Sequence, residues 1–177
     1  MRKGFKDITL GLILATFHIN LGTIEIVPSF IGWILVAVGV STLVNVIAEG
    51  QVFMTKAKRW SVALSIISLF LLIVTVFDNG IGDSHLSTII FSLCEILFIY
   101  YFLSGVTEIF TAKGNIEYAK ENARMLSGYT TFYVIGLLIM CINWFTYSVS
   151  IGAFLTIYMI VLRIYIIYRV YKMGKML

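Results

Sequence analysis

Charge is scarce in this sequence. Asp, Glu, Lys and Arg make up 12% of the 177 residues, about half of the roughly 25% usual for a soluble domain, which is too little to coat a water-exposed surface. Proline is nearly absent: Pro28 stands alone. Without Ser/Pro-rich or charge-rich stretches, nothing reads as a linker or a disordered tail. The two cysteines, Cys94 and Cys141, lie inside apolar runs, where a thiol behaves as a small hydrophobe, and they do not indicate a disulfide framework. Histidine is limited to His18 and His85. No H-E-x-x-H, C-x-x-C, G-x-S-x-G or phosphate-binding loop occurs, so no metal, cofactor or catalytic motif is offered, and the expectation is a protein that is not an enzyme.

What the chain has instead is apolar length. It is 60% hydrophobic with a mean hydropathy of +0.98, and its apolar runs recur at roughly 20 residues, the length a helix needs to cross about 30 Å of hydrocarbon. In lipid every backbone polar group must be satisfied within its own segment, so each run is expected to be a helix. The net charge of +4 is dispersed in small groups beside these runs, a pattern that excludes a nucleic-acid partner.

The expected fold is all-α: one polytopic transmembrane bundle over residues 1–177, with about six spans near 8–22, 28–47, 60–77, 86–110, 129–147 and 150–171. The first span is short and is extendable to Val27. Its basic start resembles the head of a signal peptide, but Leu14-Ala-Thr-Phe17 has no small-x-small cleavage site, so it is read as a retained helix. Pro28 suits a first helical turn. Polar, Gly-bearing breaks at Glu49-Gly-Gln51, Asp78-Asn-Gly80 and Lys113-Gly-Asn115 separate the later spans.

Basic residues mark cytoplasmic loops. Arg2, Lys3 and Lys6 precede the first span; Lys56, Lys58 and Arg59 follow the second; Lys113, Lys120 and Arg124 follow the fourth; Arg169, Lys172 and Lys175 close the chain. The alternate loops contain none. This alternation predicts both termini on the cytoplasmic face of a cell membrane. Trp60, Tyr168 and Tyr171 are expected at the inner interface, and Trp33, Trp144 and Tyr147 at the outer one. Residues 115–125 read as a short amphipathic cytoplasmic connector, with Glu117, Lys120, Glu121 and Arg124 paired along it opposite Ile116, Ala119 and Ala123.

The lipid makes a few polar residues conspicuous. Glu95 lies about nine residues into the fourth span, roughly 13 Å deep, where a bare carboxylate is costly. Arg163 in the sixth span lies at nearly the same depth on a helix running the same way, and is the expected partner. Asn45, Asn143 and Ser92 are alternative hydrogen-bonding partners. On the first helix, Asp7, Gly11, Ala15, His18 and Gly22 share a face. The small residues Gly11, Ala15 and Gly22 suit close helix packing, while His18 could bond across the contact or bind a ligand. Glu25, Asp78, Asp83 and His85 form an outer acidic rim without metal-ligand spacing.

Two functional expectations follow. One is a small-solute-binding transport component with an outward-facing pocket near Glu95, His18 and Arg163. The length, six spans, inner termini and Gly11-x-x-x-Ala15 resemble the substrate-binding membrane subunits of energy-coupling-factor vitamin transporters; the likeness is one of architecture and includes no ligand motif. The other is a non-transporting regulatory, immunity or assembly subunit. Its partner would be another membrane protein or a second copy, within the lipid bilayer.

Overall fold

A computed structural model describes residues 1–17, 20–21, 24–25, 28–77, 85–146 and 148–177. Among these residues lie six helices: α1 (Arg2–Thr16), α2 (Ser29–Val44), α3 (Gln51–Phe77), α4 (His85–Ala112), α5 (Ile116–Thr146) and α6 (Val149–Met176). Two-residue strands β1 (Asn20–Leu21) and β2 (Ile24–Glu25) pair antiparallel between α1 and α2, Asn20 opposite Glu25. Four helices, α3 to α6, are long and apolar enough to cross a membrane. At 1.5 Å per residue they measure about 40 to 46 Å, whereas α1 and α2 reach only about 22 and 24 Å.

The helices run further than the apolar stretches alone indicate. α1 begins at Arg2 and stops at Thr16, displaced toward the N-terminus relative to the expected 8–22, because Arg2, Lys3 and Lys6 are good helix formers that hydropathy discounts. α3 starts nine residues before the expected position 60, at Gln51, for the same reason. The connector expected at 115–125 is the first part of the continuous α5. Pro28 is the N-cap of α2 and Ser29 its first residue.

Local chemistry sets the ends. α4 closes with Gly114 at φ +76°; Asn115 N–H donates to the Phe110 carbonyl at 2.9 Å and Gly114 N–H to that of Thr111 at 3.0 Å. These two bonds make a Schellman cap, which only glycine enters without strain. α6 opens on Ser148, whose Oγ accepts from Ile151 N–H at 3.4 Å.

Each helix packs against its sequence neighbours, and α6 closes back on α1. The tightest pair is the antiparallel α1–α2 hairpin, where glycines oppose glycines. A Cβ on Gly11 would lie 2.5 Å from the Gly32 carbonyl oxygen, and one on Gly4 would lie 2.8 Å from that of Gly39. Lipid supplies no hydrophobic drive for helices to associate, so such backbone proximity is what makes van der Waals packing favourable. Gly11 and Ala15, expected to serve packing, are both buried here, against α2 of the same chain.

α4 is the innermost of the four long helices, with 50% of its apolar window buried against 17–28% for the others. Phe98 and Phe102 stack on it at 5.9 Å, Trp33 of α2 meets Phe98 edge-on at 5.5 Å, and Phe5 of α1 meets Phe102 at 6.0 Å. Trp33 is 1% exposed, so it is a core residue joining α2 to α4. Large apolar side chains on the outer faces of α3, α5 and α6, such as Phe70, Leu138 and Ile157, remain exposed. At one end of the bundle Lys113 Nζ lies 3.4 Å from the carbonyl oxygen of Leu177 and 3.6 Å from Met1 Sδ, which gathers both termini beside the α4–α5 turn.

Candidate functional site

Glu95 belongs to the core-facing line of α4. Ser92, Glu95, Phe98 and Phe102, spaced three to four residues apart, are all buried, as one helical face requires. The carboxylate, on a residue 3% exposed, is met from two other helices. Its Oε2 accepts from Arg163 Nη2 of α6 at 2.6 Å and from the Tyr133 hydroxyl of α5 at 2.8 Å. A carboxylate in an apolar interior is tolerable when charge-assisted bonds replace its hydration. The cluster thus ties three helices together near mid-length.

Arg163 reaches across open backbone spacing to do this. Among the described residues, no Cα of α4 comes within 8 Å of a Cα of α6; the long guanidinium side chain, 23% exposed, bridges the gap. One turn below Tyr133, Tyr129 is buried with its ring centroid 5.7 Å from that of Tyr133. The Tyr129 hydroxyl and Arg163 Nε are buried and have no hydrogen-bond partner among the described residues.

The other candidates fall elsewhere. Asn45 is exposed at the α2 C-cap, away from Glu95. Asn143 lies where α5 meets α6, its Nδ2 3.5 Å from where a Cβ on Gly152 would stand, and its buried Oδ1 has no partner among the described residues. His18, Gly22, Asp78 and Asp83 lie outside the described residues, as do the side chains of Glu25 and His85. Among the described residues no three His, Cys, Asp or Glu side chains gather as a metal site.

A second polar group, unforeseen in the sequence, locks the N-terminal part of α5. Asn122, 1% exposed, donates through Nδ2 to the Leu103 carbonyl at 2.9 Å and to Thr107 Oγ1 at 2.8 Å. The buried face of this part is therefore Ala119, Asn122 and Met125; Ile116 and Ala123, expected on it, are exposed. Glu121 pairs with Arg169 of α6 and not with its own helical neighbours. Arg169 Nε also contacts Met125 Sδ at 3.0 Å. The ion pairs among the described residues, Arg163–Glu95 and Arg169–Glu121, both anchor α6.

Two cavities among the described residues lie apart from Glu95. A groove of about 440 Å³ runs between α2 and α3, and a 10 Å³ space, enough for about one water, sits beside Asn122 and Arg169. No known family model, curated protein or solved structure matches this chain. The likeness to vitamin-transporter subunits thus gains no structural relative in support. The fold and site define a class: a helical bundle with four helices able to cross a membrane and an ion pair among them.

Proposed function

We propose that this chain is a six-span protein of the cell membrane with both termini in the cytoplasm. It acts there as a non-transporting regulatory, immunity or assembly subunit through helix contacts with another membrane protein. Four long apolar helices support the membrane placement. The alternation of basic loops and the meeting of Met1, Lys113 and Leu177 at one end support the orientation. α1 and α2, about 22 and 24 Å long, pack as a tight glycine-lined pair.

The observation that carries the functional reading is that Glu95 is used internally. Its Oε2 accepts from both Arg163 and Tyr133, and the 440 Å³ groove between α2 and α3 is lined by neither Glu95 nor Arg163. A buried ion pair of this kind sets helix register, a role such pairs have elsewhere.

A small-solute-binding transport component is the second reading. It is favoured by the Tyr129 hydroxyl and Arg163 Nε, two buried polar atoms without partners among the described residues, beside a carboxylate.

Thermal shift of the purified protein across a metabolite panel separates the two. A ligand at a hundred times its dissociation constant stabilises by about 2.7 kcal/mol. No shift is expected, together with co-purification of one defined membrane protein at fixed stoichiometry that Leu138→Trp on the exposed α5 face abolishes. A reproducible shift that Tyr129→Phe removes overturns the subunit reading in favour of the solute.

A further inference from the structure

The groove between α2 and α3 has the dimensions of one lipid leaflet. It is lined on α2 from Phe30 to Ser41 and on α3 from Lys58 to Leu69, residues recurring every three to four positions on both helices. The helices are antiparallel, with Ser29 Oγ 2.9 Å from Ser68 Oγ at one end, so Phe30 and Leu69 share that end while Ser41 and Lys58 share the other. Eleven residues at 1.5 Å give about 16 Å, half of the roughly 30 Å hydrocarbon core. The wall is apolar, with Ile34 and Ile66 exposed along it, and Lys58 is the single charge in the lining.

Lys58 is also unclaimed. Among the described residues its ammonium has no carboxylate partner, whereas nearby Lys56 lies 5.2 Å from the centroid of the Tyr101 ring. Lys58 stands two residues before Trp60, where the apolar stretch of α3 begins, the depth at which a headgroup phosphate lies.

We infer that this groove binds an anionic glycerophospholipid of the cytoplasmic leaflet, with an acyl chain along the wall and the phosphate held by Lys58 beside the Ser41 hydroxyl. The cytoplasmic leaflet carries the anionic lipid, and the basic end of α3 belongs on that side under the placement proposed above. The inference rests on that placement but not on the choice between subunit and transporter.

Native mass spectrometry of the full-length protein, released from mixed micelles of phosphatidylglycerol and phosphatidylcholine with identical acyl chains, tests it. Wild type is expected to retain phosphatidylglycerol preferentially. Lys58→Gln should cut that preference about fivefold, the effect of one lysine near an anionic surface, whereas Lys56→Gln should keep it. Ala37→Phe, which fills the groove, should reduce bound lipid of both kinds with the melting temperature unchanged. Equal retention of the two lipids by wild type, an unchanged preference in Lys58→Gln, or full lipid occupancy in Ala37→Phe overturns the assignment. The membrane placement is read separately, from whether the protein stays in the membrane pellet at alkaline pH.

Discussion

Arg163 Nη2 stands 2.6 Å from Glu95 Oε2 although the backbones of α6 and α4 do not pack on each other. The pair is therefore a side-chain strut between helices whose backbones stay apart. Its stability consequences differ from those of a surface salt bridge, because each partner left alone is a charge in an apolar interior.

The two tyrosines beside the pair should respond differently to loss of their hydroxyls. Tyr133→Phe removes a donor from a buried carboxylate and is expected to destabilise by about 1 kcal/mol, near the upper part of the range for hydrogen bonds inside membrane proteins. Tyr129→Phe removes a hydroxyl without a partner among the described residues and should be neutral or stabilising. Thermal melting of both variants in one detergent gives the comparison; equal losses would contradict the assigned bonding.

Glycines on the α1–α2 contact should be intolerant where others are not. Gly11→Ala places a Cβ 2.5 Å from the Gly32 carbonyl oxygen, so backbone must move, at a cost of about 1–3 kcal/mol. Gly128 in α5 has nothing within 4 Å of its added Cβ; Gly128→Ala should gain up to about 1 kcal/mol from helix propensity. Melting temperatures that fall for the first and hold or rise for the second are the expected result.

Single cysteines placed at Lys3, Lys113 and Lys172, in a background with Cys94 and Cys141 replaced by alanine, should all react with a membrane-impermeant thiol reagent from the cytoplasmic side only. Labelling of Lys3→Cys from the opposite side to Lys172→Cys would show that α1 and α2 do not both cross.

The sequence makes the Glu95–Arg163 relationship legible because lipid penalises each charge separately and the two lie at similar depth on helices of the same direction. Tyr133 is not legible, since a tyrosine within an apolar run has no polarity signal that separates a donor to a carboxylate from a packing ring. Asn122 is hidden for the opposite reason: it sits among Glu117, Lys120, Glu121 and Arg124, where polarity looks like solvation. The facing of Gly4 and Gly11 by Gly39 and Gly32 depends on the register between two helices, which neither helix's own spacing contains. The true starts of α1 and α3 lie in charged segments that hydropathy does not count but helix propensity does.

The most direct measurement is a double-mutant cycle on Glu95→Gln and Arg163→Met, read as thermal stability of the protein in lipid nanodiscs. Each single variant leaves one member of the pair without its charged partner and should be destabilised, and the double variant should lose less than the sum of the two, with a coupling of about 1–3 kcal/mol. Additive losses, or single variants as stable as wild type, would show that Glu95 and Arg163 do not hold α4 and α6 together.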